Sequence, residues 1–300
     1  MKDLLIKEDY VIKLTELQED FLKYIDVSDK TIETYKIALR QFANYLYEND
    51  IKVPTREDII NYRESLKADH KPTTINGYMI ALRNFYKYLE YQGITKNITE
   101  NVKSIKLETH HLKRSLSVEE VQKVLENCKN DKERLMVKMM ISCALRCNEL
   151  VNVKLEDFYN DGGVIMLKVL GKGRDGYKQD SVKIDNRLFE EIKSFINSND
   201  IKDFLFVSNS NNNNGGQLTT KTIRKTIKRI FEDSGLDNID LLSAHSLRHT
   251  SATLSLKNGL AIEEVSENLR HKSLSTTMIY LDELNKKESL FADKLCDMLY

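Results

Sequence analysis

The sequence predicts a mainly α-helical chain with one small β-sheet, an α+β fold in two parts. Three observations carry this. Residues 31–51 and 74–94 are two copies of one pattern with helical spacing. Only one pair of β-type segments, VIMLKVL at 164–170 and SVKI at 181–184, flanks a glycine-rich turn, and this is too little strand for a doubly wound sheet. The stretch from His245 to Tyr280 alternates short helical runs with polar groups at their starts and ends.

Size and composition bound the rest. A chain of 300 residues suggests two domains, and 41% hydrophobic with 31% charged residues permits packed cores. No run of 18 apolar residues exists, so no membrane span is expected. The start, MKDLLIKED, is charged and lacks the apolar core of a signal peptide, and a cytoplasmic chain is expected. The four cysteines, Cys128, Cys143, Cys147 and Cys296, form no CxxC pair. Cys143 and Cys147 read as core residues, and neither a metal site nor a cofactor is expected. Lys plus Arg (46) balances Asp plus Glu (46), which argues against a generic polybasic nucleic-acid binder while permitting local basic surfaces.

Taken in order, residues 1–94 read as a helical bundle. The two repeats share eleven of 21 positions. Tyr35, Leu39, Phe42 and Leu46 in the first match Tyr78, Leu82, Phe85 and Leu89 in the second, an apolar stripe at helical spacing. Residues 14–24 and 57–66 supply two further helices. Thr55 and Asp58 resemble a capping box with Asp in place of Glu or Gln. Pro54 and Pro72 each stand just ahead of a helix, where a missing N–H does little harm. Arg40 and Arg83 share one repeat position and are read as solvated or as phosphate contacts.

Residues 95–116 lose the periodicity and carry Lys103, Lys106, Lys113 and Arg114, so they read as a linker with a basic face. Ser117 with Glu120 is a capping box that opens the second domain, 117–283. A helix over 131–145 ends in Cys143-Ala144-Leu145-Arg146-Cys147-Asn148-Glu149-Leu150, where Glu149 is read as fixing local structure. The hairpin follows, around Gly171-Lys172-Gly173-Arg174-Asp175-Gly176. Residues 204–207 are predicted as a third strand and 211–216 as a loop. Residues 219–231 form a basic helix, either a solvated face or a DNA contact. Residues 284–300 form an amphipathic tail with Leu290, Phe291, Leu295 and Leu299.

The span from His245 to Tyr280 holds the candidate chemistry. His245 and Arg248 lie on one face of a helix, so they can meet one anion together. A helical run with Ala252, Leu254 and Leu256 stops at Gly259, and Ile262, Val265 and Leu269 lead into His271. Ser273 and Ser275 are helix starters just before Tyr280. His249 is read as a packed or capping histidine; His110 and His111 are read as linker surface.

Arg146, Lys172, His245-x-x-Arg248, His271 and Tyr280, in this order, resemble the tyrosine recombinase (phage integrase) family, and LRHKSLSTTMIYLD resembles its closing motif. The resemblance spans nearly the whole chain and implies a helical SAM-like core-binding domain, a linker, a catalytic domain and a tail helix. It implies a site-specific DNA recombinase that cleaves and rejoins duplex DNA through a 3′-phosphotyrosyl intermediate, without a cofactor. The context is integration or excision of a mobile element, or Xer-type dimer resolution. Tyr280 is then the nucleophile; Arg146 and Arg248 grip the non-bridging oxygens; His271 adds a hydrogen bond; His245 assists proton transfer; Lys172 is the general acid. The implied partners are a duplex recombination site and three further protomers, as a homotetramer on two DNA sites or a heterotetramer with a paralogue. Two other readings are an inactive DNA-binding accessory protein of the same fold and a DNA-relaxing topoisomerase. Arg270 stands where the family commonly has glycine, and the turn 174–178 reads as longer than usual, which leaves Lys178 as an alternative acid.

Overall fold

The computed structural model describes residues 2–107, 114–173, 176–208 and 215–288. The chain divides into two compact units, Met1–His110 and His111–Tyr300. The break falls inside the stretch 95–116. His110, His111 and Lys113 lie outside the described residues.

The first unit holds α1 (Lys2–Tyr24), α2 (Asp29–Glu48), α3 (Arg56–Ser65) and α4 (Pro72–Tyr91). The two repeats are α2 and α4, and α2 packs on α1 and α4. The shared stripe is the core: Leu39, Phe42, Leu82 and Phe85 have no exposed surface. Each such side chain stabilises the fold by about 1.5–3 kcal/mol. Thr55 and Asp58 form the capping box, with the Thr55 amide donating to Asp58 Oδ2 at 2.7 Å, and Pro72 opens α4.

Residues 97–105 contain no helix, and side chains of the bundle hold them down. Arg83 donates to the Val102 carbonyl at 2.8 Å and Arg63 to the Lys103 carbonyl at 2.6 Å. The Asn76 amide takes both backbone groups of Ile105, each at 2.8 Å. Of the paired repeat arginines, Arg83 is therefore structural, while Arg40 is exposed.

The second unit opens with Leu116, which is buried and whose amide donates to Thr250 Oγ1 at 2.9 Å. Arg114 pairs with Glu120, so this part of the expected basic face is turned inward. Then come α5 (Val118–Glu126), α6 (Asp131–Ser142), α7 (Cys147–Val151), β1 (Phe158–Asp161), β2 (Val164–Gly173) and β3 (Gly176–Lys183). They are followed by α8 (Asn186–Ser198), α9 (Thr220–Asp233), α10 (Ala244–Lys257), α11 (Ile262–Asn268) and α12 (Ser275–Glu288). The strands make one antiparallel sheet in the order β1-β2-β3. Leu167, Val169 and Val182 carry one face of it into the core shared by α5, α6 and α8–α10.

Two strand expectations are corrected. Residues 204–207 make only isolated bridges, Lys154 with Phe204 and Val207 with Gln217, because burial of Leu205 and Phe206 fixes this segment without a ladder. The third strand is Phe158–Asp161, too short and polar to show alternation in the sequence. The hairpin turn is also shorter than read: Gly173 pairs with Gly176, Lys172 with Tyr177 and Gly171 with Lys178. The boundary placed between 283 and 284 lies inside α12, where Leu284 is buried. Leu290, Phe291, Leu295 and Leu299 lie outside the described residues.

Candidate active site

The site is built where three chain turns meet. The first follows α6. Ala144 adopts φ 49, which reverses the chain so that Arg146 becomes the N-cap of α7. The Arg146 amide donates to Glu149 Oε2 at 2.8 Å and its guanidinium to Glu149 Oε1 at 2.6 Å. Glu149 thus returns to the start of its own helix, the capping-box role of a carboxylate three residues in.

The second turn opens α10. Ser243 is the N-cap, His245 is exposed one residue into the helix, and Arg248, one turn on, is wholly buried. Arg248 donates to the carbonyls of Ala144 and Leu269 and lies 3.9 Å from Glu149 Oε2. Burial, together with Arg146 and Arg270, pulls its pKa below the ordinary guanidinium value, to about 9. It therefore stays cationic at neutral pH.

The third turn closes α11. The Arg270 amide donates to the Glu267 carbonyl at 2.8 Å and the His271 amide to the Ser266 carbonyl at 3.1 Å. This is a Schellman ending, which needs a left-handed residue after the last helical one. Arg270 fills that place at φ 52. A side chain there costs about 1–2 kcal/mol, which explains why glycine suits the position.

His271 comes next, fixed through Nδ1 to the Thr277 hydroxyl at 2.8 Å. Burial, then Arg248, Arg146, His245 and Arg270, lower its pKa to about 4. At neutral pH it is an uncharged imidazole that can offer one N–H. Tyr280, two turns into α12, is buried at 5% exposure. Its ring lies parallel to His271 at 6.4 Å and edge-on to His249 at 4.9 Å, and His249 in turn meets His245 at 4.8 Å.

Glu149, read from the sequence as a local brace, joins three arginines. Burial raises its pKa, but Arg270 at 2.8 Å, the Arg146 amide and the Arg146 guanidinium outweigh this and hold it below the usual carboxylate value. Beside this network opens a cleft of about 880 Å³, lined by Arg146, Arg270, His271 and Lys272 on one side and Met166, Ser181 and Lys183 of the sheet on the other.

The structure therefore brings Arg146, Arg248, His271 and Tyr280 together, with Arg146 and His271 on the cleft and Arg248 and Tyr280 beneath it. His245 stands at the rim of the histidine row. The Lys172 side chain lies outside the described residues, as does that of Lys178. Their backbones are placed: Lys172 pairs with Tyr177 and by register shares a sheet face with Met166, Ser181 and Lys183, while Lys178 falls on the face of Leu167 and Val182. His249 is packed, as read, against Tyr280; the sequence did not reveal the parts played by Arg270 and Thr277, and the one visible signal was the arginine in a glycine's place. On α9, Arg229 is tied to Glu133 and Asp233 at 2.6 and 2.5 Å, whereas Lys221, Arg224 and Lys225 are exposed. Among the described residues no cluster of three or more His, Cys, Asp or Glu could hold a metal, and no helix is long and apolar enough to cross a membrane.

Comparison with known proteins gives the family. Residues 114–287 match the phage integrase family, and residues 16–93 match the phage integrase N-terminal SAM-like domain. The chain is 30% identical over 272 residues to tyrosine recombinase XerA of Pyrococcus furiosus, covering 89% of each. It is 30% identical to tyrosine recombinase XerD of Oceanobacillus iheyensis, covering 87% of this chain and 92% of the relative. The structure of the XerH site-specific recombinase bound to difH substrate in a pre-cleavage complex superposes with a TM-score of 0.67 at 26% identity, over 83% of this chain and 74% of the other. The chain belongs to the phage integrase family of tyrosine recombinases.

Proposed function

We propose that Tyr280 is the nucleophile with which this chain, a site-specific DNA recombinase, cleaves and rejoins duplex DNA. The observation that carries the reading is the packing of Tyr280 against His271, beside a cleft lined by Arg146. The Tyr280 oxygen attacks phosphorus, forms a 3′-phosphotyrosyl ester and releases the 5′ oxygen. Because the ester keeps the bond energy, rejoining needs no nucleotide cofactor. Arg146 and Arg248 hold the non-bridging oxygens by forked, charge-assisted hydrogen bonds. His271, neutral before DNA binds, adds an N–H. His245, at the end of the histidine row, assists removal of the tyrosine proton. Lys172 gives its proton to the leaving oxygen, a role supported by its register position on the face of Met166, Ser181 and Lys183, which line the cleft.

Arg248 at 0% and Tyr280 at 5% exposure are covered in the free chain, so DNA binding is expected to rearrange the site and uncover them. The same placement disfavours an inactive accessory role, since a chain without chemistry has no need of a guanidinium and a phenol buried beside a polar cleft. The enzyme acts in the cytoplasm, as four protomers on two DNA sites, either a homotetramer or a heterotetramer with a paralogue. The test is covalent capture on a duplex selected from a random pool by retention on the Tyr280→Phe protein. Wild type forms a protein–DNA adduct in EDTA, and Tyr280→Phe binds equally and forms none. An adduct in the Tyr280→Phe protein, or a strict need for added divalent metal in cleavage, contradicts the mechanism.

A further inference from the structure

We infer that Arg270 is a positioning residue for cleavage, clamping the turn that carries Arg146 to the turn that carries His271. The inference rests on the recombinase reading above.

Arg270 leaves the chain in a left-handed conformation that disfavours any side chain, yet its side chain is only 5% exposed and its guanidinium reaches four acceptors. One is on its own turn, the Asn268 carbonyl at 2.8 Å. The other three belong to the distant turn after α6: the carbonyls of Cys143 at 3.3 Å and Ala144 at 2.9 Å, and Glu149 Oε2 at 2.8 Å. The two carbonyls lie just past the end of α6, where backbone oxygens lack helical partners and a cation is favoured.

The same turn places Arg146, and the same Glu149 oxygen accepts the Arg146 amide, while its other oxygen holds the Arg146 guanidinium. His271 is covalently next to Arg270. One side chain thus fixes the separation between two groups that must meet one phosphate, although they are far apart in sequence. With glycine at position 270, Glu149 loses one of the three cations around it, and the two turns keep Arg248, through Ala144 and Leu269, and the apolar cluster that holds both residues. Arg270 places the hydrogen bonds of both terminal nitrogens on these two turns, and through them it acts on Arg146 and His271.

The test uses the full chain and the selected duplex, nicked beside the cleavage phosphate so that the adduct is trapped. Single-turnover rates are compared for wild type, Arg270→Gly and Arg270→Lys. Each is run on a normal phosphate and on a methylphosphonate, in which one non-bridging oxygen is a methyl group and the charge is gone. Arg270→Gly is expected to bind the duplex within about twofold of wild type and to form adduct roughly 10- to 100-fold more slowly, the loss typical of a misplaced reacting group. On methylphosphonate, which makes less demand on aligned cations, the loss should shrink several-fold. Arg270→Lys, which keeps the charge without the fork, should fall between. Glycine suits φ 52, so folding is not threatened; should Arg270→Gly nonetheless melt without cooperativity, Arg270→Lys is read by the same criteria. An unchanged rate, an equal loss on both substrates, or a loss confined to binding overturns the inference. If wild type forms no adduct, the recombinase reading falls and takes the inference with it; if wild type reacts and Arg270→Gly reacts equally, only the inference falls.

Discussion

His271 shows how one side chain is tuned by all that packs on it. Its ordinary pKa of 6.5 falls to about 4 through burial and the cations Arg248, Arg146 and Arg270 with His245. The sign of the linkage follows. Between about 4 and 6.5 the unfolded chain holds the proton and the folded chain does not, so stability is full above 6.5 and is lost as pH falls towards 4. Glu149, also lowered, adds a second loss below its ordinary value of 4.5. Thermal melts are expected to drop steadily from pH 7 to pH 4, and the His271→Gln protein to show a shallower slope above pH 4.5. An identical slope in both proteins would refute the assignment. Tyr280 shows the opposite dependence on context: its oxygen is defined by chemistry, but its access is set by α12.

Among elements, the β2–β3 hairpin and α12 carry distinct expectations. Both lysines of the hairpin stand in paired strands, on opposite faces by register. A substrate whose bridging 5′ oxygen is replaced by sulfur has a leaving group that needs little protonation. Lys172→Ala should cleave normal DNA poorly and the sulfur-substituted DNA nearly as fast as wild type; Lys178→Ala should show no such rescue. Rescue with Lys178→Ala alone reverses the assignment, and rescue with neither removes both lysines as the acid. For α12, the helix runs without a break from the nucleophile to Glu288, with Leu284 buried. The apolar positions beyond it are expected to dock on a neighbouring protomer in a head-to-tail ring. Deleting residues 289–300 should abolish strand exchange and leave half-site binding intact; recombination at the wild-type rate by the truncated protein would sink this.

The two units each have a core of their own, one built on the repeat helices and one around the sheet. A chain of formal net charge zero still binds DNA if its cations are local, and Lys103 and Lys106 on the first unit and Lys221, Arg224 and Lys225 on the second are exposed. We expect duplex DNA to be held by both units, with 95–116 crossing the backbone. Affinity should then fall steeply with salt, as released counterions require. Residues 114–300, which contain the second core, should bind the selected half-site much more weakly than the full chain. Equal affinity would remove the first unit from recognition.

Local patterns were enough for much of this. The repeat helices were legible because a stripe such as Tyr35, Leu39, Phe42 and Leu46 buries itself wherever it packs. The set Arg146, Arg248, His271 and Tyr280 was legible through its resemblance to a family motif, because helix starts and ends show where polar groups sit and not what they do. The third strand was not, because Phe158–Asp161 becomes a strand only by pairing with β2, while the more apolar segment at 204–207 is fixed by burial. Nor was the place of Lys172, which depends on a Gly173–Gly176 pairing that no composition reveals. The role of Arg270 lay furthest out of reach. Three of its four acceptors come from Cys143, Ala144 and Glu149, more than a hundred residues away, and a hydrogen bond across that distance exists only once the chain has folded.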